Sequence, residues 1–323
     1  LFFYILSNKS LLNNYLYPTL IFIFLSVFLT ILLWPYLWSD PINNFLNTFL
    51  ELANYKHFGG SENLFLGKFV MSTNVPWNYI PVWIFVTTPI IYLFFLLVGV
   101  IKVFFINIFY KKIKKNKSAY IDLFFFLSAF FPILAVILLK STLYNGWRHL
   151  YFIYPFLLLI SLVGIEYLVK NIQSKNILNI LKIIIIFTFL HTSYWMLKNH
   201  PHQYVYFNIL AGKDIKNKFE MDYWGLSYKE NLDYLLSVDK RKKISVWNSS
   251  KMEMFYALLC LTKNERSRIV IVKELKNKNE ADYWITNYYN DKNNYSKEFY
   301  NKYFLINDIV VDGKSINTIF KKK

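Results

Sequence analysis

Residues 177–197, ILNILKIIIIFTFLHTSYWML, carry one charge, Lys182, in a run long enough to cross a bilayer. A helix needs about 20 mostly apolar residues for that crossing. Working outward, residues 18–38, 81–105, 120–139 and 150–168 have the same character. The expectation is an α-helical polytopic membrane protein with five transmembrane helices in residues 1–197, followed by a small extracytoplasmic α/β domain in 198–323. The segments are too many and too long for a cleaved signal peptide. Their charges, Lys102, Asp122, Glu166 and Lys182, each lie near one end. With alternating topology all four fall at one membrane face. Lys111, Lys112, Lys114, Lys115 and Lys117 mark that face as cytoplasmic, because lysine and arginine accumulate in loops that stay inside. Residues 39–80, the link 144–149 and everything after about Lys198 are then expected outside.

Composition agrees. Of 323 residues 55% are hydrophobic and 20% aromatic, yet the formal net charge is +17. A soluble domain is typically about 45–50% apolar. From Lys198 onward the chain holds 23 basic and 15 acidic residues, only mildly basic, so the charge is no nucleic-acid footprint. One cysteine, Cys260, excludes an intramolecular disulfide and a cysteine-based zinc site. The first residue is Leu1 and residues 1–6 read like the tail of an apolar segment, so the expectation is a chain lacking its N-terminal part.

In the soluble part, Ser227 and Glu230 are spaced as a capping box ahead of Leu232, Leu235 and Leu236. Residues 244–247, 268–273 and 283–286 read as strands, with a helix over 254–259. Asp312-Gly313 between apolar runs reads as a hairpin turn.

Unusual residues gather at the expected outer ends. Six of nine tryptophans, Trp34, Trp38, Trp77, Trp83, Trp147 and Trp195, fall there, as interfacial anchors or as surfaces for a sugar or headgroup. Tyr144-Asn145-Gly146-Trp147-Arg148-His149 is a tight link, and Arg148 is the sole arginine of the membrane half. A planar guanidinium suits phosphate, although a snorkelling anchor has the same composition. His149 could orient a ligand or serve as a structural hydrogen-bonder. In the loop 39–80, Phe45, Leu46, Phe49, Leu50 and Leu52 give a surface amphipathic helix, with Asp40 as its N-cap. Trp77 and Tyr79 lie in the Pro76–Pro81 approach, and Thr88-Pro89 breaks the next helix. The backbone freed there must face protein or a water-filled cavity. After the last helix come His202 and Tyr204, then Phe219-Glu220-Met221-Asp222-Tyr223-Trp224-Gly225. Asp222 with Tyr223 and Trp224 forms either a sugar platform or the seam joining the soluble domain to the membrane. The histidines and acids match no zinc spacing, so no metal and no cofactor is expected. No Gly-rich phosphate loop, Gly-x-Ser-x-Gly elbow or His-Glu-x-x-His motif is present.

Taken in order, Trp34–Trp38, Pro76–Pro81 with Thr88-Pro89, Asn145–His149, His200–Asn208 and Asp222–Gly225 resemble the GT-C membrane glycosyltransferases. Within these the chain is similar to the bacterial family 39 relatives of protein mannosyltransferases and aminoarabinose transferases, from Pro18 to about Leu236. The resemblance implies an enzyme of the bacterial plasma membrane. It would take a sugar from a polyprenyl-phosphate donor at the outer face and pass it to a protein, lipid or glycan. It also implies a catalytic carboxylate upstream of Leu1, with Asp40 and Asp222 the secondary candidates for that base within this chain. Arg148, and secondarily Lys140, are the expected donor-phosphate ligands. Tyr144, Trp147, His149, Trp77, Tyr79, His202, Tyr204, Asp222, Tyr223 and Trp224 are the expected sugar or acceptor contacts. A lipid or glycan transporter would instead want ionisable residues at mid-membrane. A non-catalytic anchor presenting the soluble domain is the remaining alternative.

Overall fold

The computed structural model describes residues 9–53, 60–109, 117–272, 280–293 and 295–323. Among the described residues the chain is mostly helical, with four helices long and apolar enough to cross a membrane and a small sheet region. The spans are Leu16–Leu33, Ser118–Leu138, Arg148–Asn171 and Lys175–Lys198. Lys111, Lys112, Lys114 and Lys115, which set the expected orientation, lie outside the described residues.

Helix α1 (Lys9–Leu33) contains the first span, none of which is buried. The Trp38 indole N–H turns back onto the Ile31 carbonyl at 2.8 Å, occupying one of the carbonyls a helix end leaves free. Helix α2 (Pro41–Ala53) follows. Asp40 caps it: Oδ1 accepts the Asn43 backbone N–H at 3.1 Å. The Asn43 side-chain and backbone bonds hold the Asp40 carboxyl below its usual range. Ile42, Phe45, Leu46, Phe49 and Leu50 are all exposed, an apolar stripe spaced as for a helix lying on a membrane surface.

The next expected span, 81–105, is not a single helix. It divides into α3 (Tyr79–Thr87) and α4 (Ile90–Ile101), the latter continuing as a π-helical stretch, Lys102–Phe109. Only Ile90–Phe105 remains as a shorter apolar helix. The physical reason is Pro89, which lacks an amide hydrogen and forces Thr88 out of the helical region, to φ −105°, ψ 136°. The freed carbonyls face protein. The Asn208 side-chain amide donates to the carbonyls of Phe85 at 2.7 Å and Thr88 at 2.6 Å, and its backbone N–H donates to that of Val86 at 2.9 Å.

Helices α5 (Lys117–Leu138), α6 (Tyr154–Asn171, entered through a 3-10 stretch Arg148–Ile153) and α7 (Lys175–Lys198) complete the bundle. Helices α4 and α6 approach closely through two glycines. A Cβ on Gly99 would stand 2.0 Å from the Ile160 carbonyl oxygen, and one on Gly164 2.2 Å from that of Phe95. Small residues at a helix crossing permit such backbone contact. Lys102 and Asp122 form an ion pair at the end of the bundle away from residues 140–149.

The long first loop also holds a hairpin absent from the sequence reading: β1 (Glu62–Phe65) and β2 (Lys68–Met71), turned at Leu66-Gly67. Both turn residues have positive φ, 52° and 81°, as a two-residue hairpin turn requires.

The sheet domain comprises α8 (Ser227–Val238), β3 (Ile244–Asn248), α9 (Phe255–Leu259), α10 (Lys263–Arg268), β4 (Ile269–Val272), β5 (Tyr283–Thr286), α11 (Lys297–Lys302), β6 (Tyr303–Val311) and β7 (Lys314–Lys322). Strand order is β4-β3-β5-β7-β6; β3 is parallel to both neighbours, while β7 is antiparallel to β5 and β6. Helix α8 buries Tyr228, Leu232, Leu235 and Leu236 against Ile244, Val246, Ile285 and Ile319. The expected helix start and hairpin are present, but the Ser227–Glu230 capping box is not. Leu226 is the N-cap with no side-chain bond, the Ser227 hydroxyl donates to Asp222, and Glu230 meets His202. A capping box forms at Thr262 and Glu265 instead.

Between bundle and sheet runs the segment after α7. Val205, Phe207, Ala211, Ile215, Phe219 and Met221 share one core with Trp83, Trp147 and Ile153, and with Ile309, Val311 and Ile316 near the β6–β7 turn. The Trp195 indole N–H donates to the Asp312 carboxylate at that turn. Sheet and bundle are thus joined through a common hydrophobic core.

Candidate functional site

The Tyr144–His149 link is held from three sides. Asn63 of β1 donates to the Leu143 carbonyl at 2.9 Å and accepts the Asn145 N–H at 3.2 Å. From α3, the Tyr79 hydroxyl accepts the Gly146 N–H at 3.2 Å, and Thr87 accepts the Trp147 indole N–H at 3.0 Å. From the sheet domain, the Tyr289 hydroxyl donates to Asn145 Oδ1 at 2.8 Å. Asn145 and Gly146 both have positive φ, 56° and 72°, the conformation Asn-Gly adopts at least cost.

Beneath this link lies a cavity of about 510 Å³. Its wall is aromatic, with Trp83, Trp147, Tyr151, Tyr154, Tyr204, Tyr206, Phe207 and Tyr223; its polar groups include Thr87, Asn145, Gln203 and Glu220. That volume lies within the range of about 300–1,000 Å³ usual for small-molecule sites. Glu220 is its one lining carboxylate and is 2% exposed. Oε1 accepts the Leu64 backbone N–H at 3.1 Å, and Oε2 has no hydrogen-bond partner among the described residues. Burial pushes the Glu220 carboxyl up to about 8; the Leu64 N–H and the charges of Lys251 and Arg148 oppose that shift. Tyr79 and Tyr289 also interact with it electrostatically. Phe219 pairs with Phe65 in an isolated β-bridge, which sets Glu220 against β1.

A second, apolar groove of about 810 Å³ runs between α4 and α7. Ile90, Ile91, Ile183, Ile184 and Phe187 line it, together with His191, Thr192, Asn208 and Asp312. The two spaces share Tyr206 and Phe207 as a common wall.

Of the expected sugar or acceptor contacts, Trp147, Tyr204 and Tyr223 line the 510 Å³ cavity. Arg148 does not line it. The guanidinium lies half-buried over the rings of Tyr144, at 4.5 Å, and Trp224, at 5.1 Å, beside the link. Among the described residues no carboxylate pairs with it. His149 is exposed and packs edge-on against Tyr144 at 4.5 Å. Lys140 and Trp77 are exposed and border a separate cleft of about 130 Å³, together with Tyr79, whose ring is buried. Lys140 and Arg148 therefore do not converge on one site. His202 is buried, with Nε2 3.2 Å from Glu230. Asp40 stands apart as the α2 cap.

Asp222 is fully buried and lines none of these spaces. Its oxygens accept the hydroxyls of Tyr204 and Ser227 and the Leu226 N–H, while Asn287 donates to its carbonyl at 2.7 Å. Burial raises the Asp222 carboxyl and these bonds oppose the shift. Such a carboxylate is a structural tie between segment 204–227 and the sheet domain. Its saturated hydrogen bonding leaves it poorly placed as a proton acceptor for a substrate.

The tryptophans divide. Trp34, Trp38 and Trp77 are exposed, whereas Trp83, Trp147 and Trp195 are buried and border the two cavities. Sequence reading passed over Glu220 and Asn208 as individual residues. The available signal for Glu220 was a carboxylate between Phe219 and Met221 in a stretch with no helical period. Among the described residues no group of three His, Cys, Asp or Glu could hold a metal. Comparison with protein-family models, with curated proteins and with solved structures finds no match for the chain.

Proposed function

We propose that this chain belongs to a membrane glycosyltransferase that takes a sugar from a polyprenyl-phosphate donor and passes it to a protein, lipid or glycan acceptor at the outer membrane face. One observation carries the reading: an apolar groove between membrane helices shares the Tyr206–Phe207 wall with an aromatic cavity holding polar groups. A molecule with a long hydrocarbon chain and a sugar head has that division of chemistry. Arg148, in the link beside the cavity and without a carboxylate partner among the described residues, is the cation we assign to the donor phosphate. Its planar fork can take two phosphate oxygens at once, and charge held there stabilises the departing phosphate.

The test places the chain in lipid nanodiscs and measures binding of a polyprenyl phosphate carrying a labelled hexose. Arg148→Ala should weaken binding by about 10-fold or more, the equivalent of a charge-assisted bond of about 1.5–3 kcal/mol. Arg148→Lys should recover part of it. Equal binding by wild type and Arg148→Ala would remove the assigned role. Movement of the labelled lipid across a liposome bilayer without sugar transfer would favour a transporter.

A further inference from the structure

Glu220 has a feature that packing does not explain. A carboxyl buried among Trp83, Phe207 and Tyr223, with one oxygen lacking any partner among the described residues, is costly. The cost is sensible where a bound group completes the hydrogen bonding. We propose that Glu220 recognises a hydroxyl of a neutral sugar ring seated in the 510 Å³ cavity, with the Leu64 N–H fixing Oε1 and Oε2 contacting the ligand. This rests on the sugar-transfer reading and names the residue that reads the transferred sugar.

The chemistry favours a neutral partner. Burial keeps the carboxyl protonated at pH 7, so it offers both an O–H donor and a carbonyl acceptor. A sugar hydroxyl, itself a donor and an acceptor, can pair with either, and the ring's C–H face suits the aromatic wall. An ammonium group would want an ionised carboxylate and would meet the positive charge of Arg148 and Lys251, both of which act on Glu220.

The experiment uses the full chain in lipid nanodiscs and reads the change in tryptophan fluorescence on binding, to which Trp83 and Trp147 in the cavity wall contribute. Ligands are a polyprenyl phosphate bare or carrying glucose, mannose, galactose or arabinose, and the monodeoxy forms of the sugar that binds best. Wild type should bind a sugar-bearing carrier more tightly than the bare one. Glu220→Ala should abolish that increment, a loss of about 10-fold or more, and leave the bare carrier's affinity unchanged. Glu220→Gln, whose amide also donates and accepts, should stay within about threefold of wild type. One monodeoxy sugar should lose the increment in wild type and lose nothing further in Glu220→Ala. An increment intact in Glu220→Ala, or lost as fully in Glu220→Gln, would overturn the assignment and leave the sugar-transfer reading standing. No increment for any sugar in wild type would overturn both. Unchanged binding of the bare carrier separates each result from misfolding.

Discussion

The Asn208 side chain donates a 2.6 Å hydrogen bond to the carbonyl of Thr88, 120 residues earlier, and a second of 2.7 Å to that of Phe85. These bonds satisfy backbone that the Thr88-Pro89 break releases, in a place where unpaired carbonyls are costly. Asn208→Ala should therefore destabilise the chain by about 1–3 kcal/mol. Asn208→Asp should do at least as much harm, because a carboxylate repels the carbonyls it replaces a donor for. Thermal unfolding in detergent, followed by tryptophan fluorescence, checks both.

The α4–α6 contact makes a sharper steric prediction. Gly99→Ala or Gly164→Ala must push two backbones apart, since each new Cβ would lie within about 2 Å of a carbonyl oxygen. A loss of at least about 3 kcal/mol is expected, at the upper end of ordinary overpacking. Gly60→Ala, where a Cβ meets nothing within 4 Å, should be near neutral. Similar melting temperatures for all three would refute the close approach.

Docking of the sheet on the bundle runs through Trp195 and Asp312. Trp195→Phe and Asp312→Ala should each destabilise, and the double variant should lose less than the sum. A coupling of about 1 kcal/mol or more is expected for a bond to a charged group. Strict additivity in a double-mutant cycle would mean that the two side chains do not interact in solution.

Glu220 makes stability depend on pH. Its folded-state value, about 8, lies above the ordinary 4.5. Between those values the folded state holds a proton that the unfolded chain releases. Stability from this group is full below about pH 4.5 and is lost as pH rises toward 8. The groups facing it, Tyr79, Tyr289, Lys251 and Arg148, belong to α3, the sheet loops and the link. Asp222, also raised by burial, acts in the same direction. Glu220→Gln should flatten the fall in melting temperature between pH 5 and 9 and make the variant more stable than wild type at pH 9. An unchanged slope would place the Glu220 titration elsewhere.

Much of the architecture is local in origin and was legible for that reason. Four apolar runs suffice by length and composition to make helices that can cross a membrane. Of the stripe Phe45, Leu46, Phe49, Leu50 and Leu52, the first four repeat with the helical period on one exposed side of α2, the side chain of Leu52 lying outside the described residues, and Asp312-Gly313 forms its turn from its own two residues. The break at Pro89 is a property of the proline ring. Local signals misled where tertiary partners compete: Ser227 is spaced to cap a helix, yet its hydroxyl is taken by Asp222.

The cavity belongs to the tertiary structure alone. Glu220 became its carboxyl because a hairpin 156 residues away supplies the Leu64 N–H, and because Trp83, Trp147 and Phe207 meet around it from three separate segments. The sequence by itself determined the long apolar helices, the break at Pro89 and the Asp312-Gly313 turn, since those depend on the period and stereochemistry of neighbouring residues. The fold decided which polar groups are buried, which are satisfied and which are left open to a ligand. Desolvation and hydrogen bonding depend on what packs across the chain, and no local period records that.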